Sequence, residues 1–340
     1  MVRLRKRGEE IRNFILENVE NHPNDFLSLT ANHFQITRQA VNKHIRILVE
    51  QGALKRINKG HYEHSTMSEW NQTFLTKNAL SEDIVWREEI APQIWQMPDN
   101  AIHIWNYGFT EIFNNAIDHS KSDTIFVDIK KTAFSTKLVI ADSGIGIFKK
   151  IKQEMNLLDE RHAVLELTKG KLTTDPTRHS GEGIFFASRM FDEFCILSGE
   201  VYLSHSYGKD EDWIMENRPN HQGTYVVMLI KNNTSRTVKE IFDKFTADDD
   251  NYGFSKTVVP VRLAQYGTER LVSRSQAKRL LERVDRFKIV LFDFTEVESI
   301  GQAFADEVFR VFINFHPHTN IIPINANDTV MQMIKRATSA

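Results

Sequence analysis

The sequence predicts an α/β protein of the α+β, multidomain kind, and three observations lead to this fold class. Its 340 residues correspond to two or three domains at roughly 100–200 residues per domain. Helical spacing of apolar residues dominates the N-terminal segment, whereas apolar β-rich runs alternate with helical patterns further along the chain. The alternation is most regular from residue 250 onward, and it is typical of a small layered α/β domain.

The composition is that of a globular protein, with 41% hydrophobic and 26% charged residues. No stretch approaches the ~18 consecutive apolar residues of a membrane span, and the basic N-terminus leads into polar residues rather than an apolar signal core. We therefore expect a cytoplasmic protein that does not bind a membrane. Residues 1–64 carry eleven Lys or Arg against seven Asp or Glu, within a chain of net charge −2. This basic segment is the part to test for nucleic-acid binding.

Residues 1–65 are predicted to form three helices and a hairpin. Apolar residues follow helical spacing over two segments, 8–19 and 28–34. A third helix begins at Thr37, a residue type favoured at the N-cap, and stops at Gly52. Two short strands with basic residues follow, joined by a tight turn.

This segment resembles a winged helix-turn-helix, with residues 37–51 as the recognition helix and 54–62 as the wing. Polar and basic side chains on such a helix can reach base edges and phosphates in the major groove, which indicates double-stranded DNA as a partner. A basic face that contacts a protein instead is the alternative. The candidate DNA contacts are Arg38, Gln39, Asn42, Lys43, Arg46, Lys55, Arg56 and Lys59.

A helix predicted over 102–119 carries the first residues with chemical potential. Glu111, Asn115 and Asp118 form a polar stripe at i, i+4 and i+7, beside a stripe of apolar residues. A carboxylate and an amide one turn apart can hold a hydrated Mg²⁺ and polarise an attacking oxygen. Because the same spacing occurs on solvated helix faces, the stripe alone does not define a site.

Three glycine-containing motifs follow this helix. A β-rich run ends in Asp142-Ser143-Gly144-Ile145-Gly146, where glycines let the backbone approach a ligand beside a fixed carboxylate. Gly181-Glu182-Gly183 opens a helix, and backbone amides at a helix start form an anion site suited to phosphates. Gly223-Thr224 begins a further apolar strand.

The ordered set Glu-x-x-x-Asn, Asp-x-Gly-x-Gly, Gly-x-Gly and Gly-Thr resembles the GHKL ATPase family, which includes gyrase, histidine kinases and anti-sigma-factor kinases. The resemblance covers roughly residues 80–232. It implies a Bergerat-type α/β sandwich, with helices on a mixed sheet, and ATP and Mg²⁺ as cofactors. The combination of Asn115, His119 and Ser120 is most similar to the anti-sigma-factor kinases.

The resemblance implies a role for each matching residue. Glu111 is the candidate general base, Asn115 the Mg²⁺ ligand, and Asp142 the acceptor of the adenine amino group. The glycines are expected beneath the base and around the phosphates, and Thr224 on the adenine side. The other candidate cofactor-binding residues are Asp118, His119, Gly144, Gly146, Gly181 and Gly183.

The remaining parts of this segment are expected to be connections. Residues 148–180 are predicted to be a mobile lid, in which Lys169 and Lys171 are candidate phosphate contacts or simply solvated cations. We expect the carboxylate of Glu182 to point away from phosphates, since it would repel them. Residues 66–100 are predicted to be a linker followed by helical material.

The C-terminal segment alternates strands and helices, with a covered central strand near 288–294. The run from Leu291 to Ala305 resembles a STAS-like domain of unknown function and, more distantly, the anti-sigma-factor antagonists. In the latter, a phosphorylated serine follows such a strand, and Ser299 stands at that position. Ser299 is therefore either a phospho-acceptor or the N-cap of the next helix.

Two functions are compatible with the predicted domains, 1–65, 66–245 and 250–340. The leading hypothesis is a DNA-binding regulator whose ATP-binding domain acts as a switch between the winged helix and a STAS-like domain that contacts a protein partner. The alternative is a serine/threonine protein kinase of the anti-sigma type that phosphorylates a STAS-like domain. Whether ATP is hydrolysed, transferred or only bound stays open in the sequence, as does homodimer formation.

Overall fold

The structure, a computed structural model, describes residues 2–78, 81–94, 96–172, 181–208, 212–215, 221–247, 253–265 and 270–339. Its α-helices are α1 (Val2–Asn18), α2 (Phe26–Phe34), α3 (Arg38–Glu50), α4 (Glu82–Val85), α5 (Ala91–Ile94), α6 (Asp99–His119), α7 (Ile147–Glu154), α8 (Glu160–Lys169), α9 (Gly183–Met190), α10 (Val238–Lys244), α11 (Arg274–Leu281), α12 (Gln302–Asp306), α13 (Ile313–Phe315) and α14 (Asp328–Thr338). The π-helical stretches Trp86–Ile90 and Glu307–Phe312 join α4 to α5 and α12 to α13.

The strands are β1 (Leu54–Asn58), β2 (His61–His64), β3 (Thr66–Leu75), β4 (Thr124–Thr132), β5 (Ser135–Asp142), β6 (Glu193–Gly199), β7 (Val201–Ser206), β8 (Asp212–Met215), β9 (His221–Lys231), β10 (Lys256–Pro260), β11 (Ile289–Asp293) and β12 (Asn320–Ile324). They form a two-stranded, a seven-stranded and a three-stranded sheet. The mixture of helices and several sheets confirms the predicted α+β, multidomain fold class. Among the described helices, none is both long and apolar enough to cross a membrane.

The N-terminal unit, residues 2–64, consists of α1 to α3 and the β1–β2 hairpin. The hydroxyl of Thr37 accepts a hydrogen bond from the Ala40 amide and caps α3, as the sequence predicts. Val41, Ile45 and Leu48 on the inner face of α3 are buried in a hydrophobic cluster of this unit. The opposite face of α3 is consequently left at the surface.

The predicted linker after residue 65 is instead a strand. β2 leads through Ser65 directly into β3, which pairs with β4 at the edge of the seven-stranded sheet. The His64 side chain joins the two units: its Nε2 donates to the Leu16 carbonyl at 2.8 Å, and its ring stacks on Phe134 at 5.3 Å. The N-terminal unit therefore packs against the β4–β5 turn of the central sheet.

The central unit, residues 66–247, is built on the seven-stranded sheet with strand order β3-β4-β5-β9-β6-β7-β8. Every pairing in it is antiparallel, which differs from the mixed sheet expected from the family resemblance. α6 packs against β5, β9 and α9, and it buries Trp105, Phe109 and Phe113 completely. The burial of this apolar stripe leaves the polar stripe of α6 on a neighbouring side.

The C-terminal unit, residues 253–339, contains a parallel sheet in the order β10-β11-β12 with α11, α12 and α14 around it. Its hydrophobic cluster is continuous with that of the central unit. Phe254 lies 4.9 Å from Phe186 of α9 and 5.2 Å from Phe287, measured between ring centroids. The two units thus share one buried core across the predicted boundary.

Candidate functional site

The polar stripe of α6 lies beside a cavity of about 290 Å³. Glu111, Asn115 and His119 line it, and all three are half-buried. The Asn115 side chain donates from Nδ2 to the Glu111 carbonyl at 2.7 Å, so its NH₂ group is engaged by the helix and its oxygen is the atom left to accept a ligand. Asp118 is exposed and does not line the cavity.

Asp142 lies at the end of β5 on the same cavity, opposite Thr224 of β9. The Gly144 amide donates to Asp142 Oδ1 at 2.9 Å, and the Thr224 hydroxyl accepts from the Ile147 amide at 3.0 Å. Burial raises the pKa of Asp142 above its ordinary value, and hydrogen bonds from Gly144 and Thr224 oppose the rise. The Asp142 carboxylate is therefore a partly desolvated hydrogen-bond acceptor, and the Gly144 amide holds it in one orientation.

Two of the three glycine motifs permit close packing around the cavity. A Cβ on Gly144 would lie 1.9 Å from the Ser120 carbonyl oxygen, and Gly146, which precedes α7, has a φ of +86°. A Cβ on Gly183 would lie 1.8 Å from Glu111 Oε2. The start of α9 and the carboxylate of Glu111 therefore meet only because residue 183 has no side chain.

Eight of the predicted site residues line this one cavity: Glu111, Asn115, His119, Asp142, Gly146, Gly181, Gly183 and Thr224. The lining also includes apolar side chains, with Ile140 and Ile196 from the sheet and Leu167 and Leu172 from the region of α8. An apolar slot with a few converging polar groups is the usual form of a small-molecule site. Gly144 does not line this cavity. It lines a neighbouring recess together with Gly223.

Lys169 and Lys171, predicted as phosphate contacts, do not line the cavity. The Lys169 ammonium is fully buried and donates to Glu166 and to the carbonyls of Arg279 and Glu282. Lys171 Nζ donates to the Arg286 carbonyl at 3.0 Å. Both ammonium groups are bonded to carbonyls of the C-terminal unit, and the structure therefore does not place them at the site.

The predicted lid also differs from expectation. Residues 147–154 and 160–169 are helices, and from His162 onward α8 is buried, because the C-terminal unit covers it. Residues 173–180 lie outside the described residues, so the rest of the lid prediction is not addressed. On this side, Leu167 of the packed helix α8 lines the cavity together with Leu172, which follows the helix.

A cation that the sequence reasoning missed is Lys150 of α7, which lines the cavity with Glu154, one turn further along. Their charged groups are 3.7 Å apart, and the Lys150 side chain is only 16% exposed. The sequence contains a signal for this residue, because Lys150 follows the Asp-x-Gly-x-Gly motif by one helical turn. It was overlooked because a Lys–Glu pair at i, i+4 is usually a surface feature.

Glu182 is half-buried, and burial raises the pKa of its carboxyl group, while the charge of Lys171 opposes the rise. Burial first, and then the negative charges of Glu111 and Glu182, raise the pKa of the nearby Tyr107. The Glu182 side chain is therefore only partly exposed to solvent. Of the two carboxylates, that of Glu111 lines the cavity, whereas that of Glu182 does not.

The donor set suits Mg²⁺ better than a soft metal. Asn115 offers an amide oxygen and Glu111 a carboxylate on one wall of the cavity, and hard divalent cations prefer oxygen ligands. A cation there would also offset the negative charge of Glu111. The residues present thus fit the ion that the family resemblance implies.

The candidate DNA contacts form a separate surface. All eight, on α3 and the β1–β2 hairpin, are exposed. Some have protein partners: Arg38 donates to the Ser28 hydroxyl at 2.7 Å, and Lys55 pairs with Glu63 at 3.2 Å. Those on α3 lie on its outer side, away from the buried face that holds the unit together.

Ser299 is half-buried between β11 and α12. It does not cap α12, because the N-cap position is Gly301, whose amide donates to the Leu271 carbonyl at 2.7 Å. The capping alternative is therefore ruled out. The phospho-acceptor assignment stays a prediction.

Comparison with known families identifies the C-terminal unit. Residues 276–331 match the family described as a STAS-like domain of unknown function (DUF4325). This stretch runs from α11 into α14 and includes β11 and β12. A STAS-like domain is therefore present at the C-terminus, as the sequence predicts. A search of curated proteins gave no match.

Proposed function

We propose that this chain is an ATP-binding regulatory protein whose central unit switches with nucleotide between a DNA-binding N-terminal unit and the STAS-like domain. One observation carries the proposal: the acceptor Asp142, the amide Asn115 and the phosphate-suited glycines Gly181 and Gly183 line one cavity. Each comes from a different part of the chain. Their convergence favours a purine nucleotide over an unrelated small molecule.

The chemistry of each wall supports this ligand. Asp142 accepts from the exocyclic amino group of adenine, while the apolar side chains of Ile140 and Ile196 cover the base. The start of α9 offers backbone amides to the phosphates, and Lys150 of α7 supplies a cation in the same cavity. Asn115 would hold Mg²⁺, which neutralises phosphate charge when bound.

Isothermal titration of the full chain with ATP and Mg²⁺ tests the nucleotide proposal. We expect saturable binding at one site that is lost in Asp142→Ala, and unchanged ATP affinity in that variant would refute the site. γ-labelled ATP then distinguishes the fates of the nucleotide. Free phosphate indicates an ATPase switch, and label on the protein that disappears in Ser299→Ala supports the kinase alternative.

The DNA-binding part of the proposal is supported by the exposed polar face of α3 and the basic hairpin. Binding to duplex DNA should fall steeply with added salt, because contacts to phosphates release counterions. Replacing Lys43 and Arg46 by alanine should weaken binding and reduce the salt dependence. Affinity that is insensitive to salt would favour a protein-docking surface.

A further inference from the structure

The C-terminal end of α8 is held by the STAS-like domain and the strand before it. The last carbonyl groups of a helix have no partner within the helix and need donors from elsewhere. The carbonyl of Lys169, the last residue of α8, and the two carbonyls that follow the helix all accept such bonds. Thr257 Oγ1 donates to the Lys169 carbonyl at 2.7 Å, and Arg283 donates from Nη2 to the Gly170 carbonyl at 3.1 Å and to the Lys171 carbonyl.

Arg283 also binds the side of α8. Its Nη1 donates to Glu166 Oε2 at 2.9 Å, while Lys169 donates to the other oxygen of the same carboxylate. Glu166 and Lys169 are fully buried, and Arg283 is nearly so. Since both oxygens of Glu166 are engaged by cations, the cluster that it forms with His162 and Glu282 is an ion-pair network rather than a metal site.

This contact lies one residue from the candidate nucleotide cavity. Leu172 follows Lys171 and lines the cavity, as does Leu167 of α8. The Leu172 amide donates to the Gly181 carbonyl at 2.9 Å, and Gly181 is itself part of the lining. A short, continuous path therefore runs from the Arg283 guanidinium through the Lys171 carbonyl to Leu172 and Gly181.

We propose that Arg283 is a positioning residue for the nucleotide site, through which the STAS-like domain sets the wall formed by Leu172 and Gly181. The inference rests on the proposed function, because it assumes that the cavity binds nucleotide. When Arg283 holds the two carbonyls, Gly181 is placed for the phosphates. Coupling is reciprocal, so bound nucleotide strengthens the attachment of the STAS-like domain to α8.

Arg283→Gln removes these bonds in the full-length chain, while Arg286 Nη1 still donates to the Lys171 carbonyl at 3.3 Å. Glu166 keeps Lys169 as a partner, so the substitution does not leave a buried charge unpaired. Arg283 has a φ of +60°, and glutamine meets the same backbone restriction. Arg283→Lys keeps the charge beside Glu166 but lacks the fork that reaches both carbonyls. Arg274→Gln, an exposed position at the start of α11, is the matched control.

Two measurements test the proposal: ADP affinity with Mg²⁺ by calorimetry, and hydrogen exchange of the peptide containing Leu172. We expect Arg283→Gln to weaken ADP binding by about 5- to 150-fold, the usual range of coupling between sites. It should also speed exchange of the Leu172 amide without ligand. Arg283→Lys should recover only part of the affinity, and Arg274→Gln should match the wild type.

The inference would be overturned if a folded Arg283→Gln variant bound ADP as tightly as the wild type. It would also be overturned if Arg283→Lys had the full ADP affinity of the wild type, because charge alone would then explain the effect. Failure of the wild type to bind either ADP or ATP would instead overturn the proposed function. The exchange measurement separates the two outcomes, because it requires no nucleotide. An unchanged Leu172 exchange rate in Arg283→Gln would show that Arg283 does not hold this segment.

Discussion

Asp142→Asn is the substitution that examines recognition of the base most selectively. The Asn side chain keeps an oxygen that can accept from the Gly144 amide, which lies 2.9 Å from Asp142 Oδ1. The second carboxylate oxygen becomes an NH₂ group, which donates and cannot accept from the adenine amino group. Because the native carboxylate is partly desolvated, removing its charge should not destabilise the fold.

The magnitude follows from the bond that is lost. A hydrogen bond to a charged group contributes about 1.5–3 kcal/mol, and each ~1.4 kcal/mol is a factor of ten in affinity. We therefore expect ATP binding to weaken by about 10- to 150-fold. GTP binding should weaken less, since the Asn amide can donate to the guanine carbonyl.

Calorimetry with non-hydrolysable ATP and GTP analogues at neutral pH measures both effects. The matched control is Asp128→Asn on the neighbouring strand β4, whose side chain does not line the cavity. The control should retain wild-type affinity for both analogues. If Asp142→Asn retains its thermal midpoint and binds the ATP analogue as tightly as the wild type, the assignment of Asp142 to the base is refuted.

Three further predictions concern the same core and cavity. ATP affinity should fall as the pH decreases through the raised pKa of Asp142, because protonation removes the acceptor, and Asp142→Asn should lack this fall when both proteins are titrated in parallel. Gly183→Ala should displace the Glu111 carboxylate, whose Oε2 would lie 1.8 Å from the new Cβ; if the wild type hydrolyses ATP, phosphate release should slow by more than ATP affinity weakens, and an unchanged rate would contradict the prediction that Glu111 is the general base. Phe186→Ala should lower the free energy of unfolding by about 3–5 kcal/mol, since the ring is buried in the core shared with the C-terminal unit; denaturant titration showing a loss under ~1 kcal/mol would contradict the shared core.

Much of the site was readable from the sequence because its signals are local. The i, i+4 spacing of Glu111 and Asn115 fixes them on one side of α6, and Asp142 is marked by the end of an apolar strand followed by two glycines. The order of the four motifs along the chain, which resembles that of the GHKL family, indicates that they bind the same ligand. The shared cavity is consistent with that hypothesis, while nucleotide binding itself stays a prediction.

The features that the sequence did not predict correctly depend on contacts between residues far apart along the chain. Lys169 resembles a loop cation in sequence, and its ammonium is buried only because carbonyls more than a hundred residues later accept from it. The sequence of β3 resembles a linker, because this edge strand has mostly exposed side chains and lacks the apolar alternation of a strand. Neither feature can be read from a local window of sequence.

A structure of the full chain with a non-hydrolysable ATP analogue and Mg²⁺ tests the central claim most directly. The account predicts one molecule in the cavity, with the adenine amino group hydrogen-bonded to Asp142, Mg²⁺ on the Asn115 oxygen, and phosphates at the amides near Gly181 and Gly183. An analogue bound elsewhere, or bound in the cavity without contacting Asp142 and Asn115 together, would contradict it.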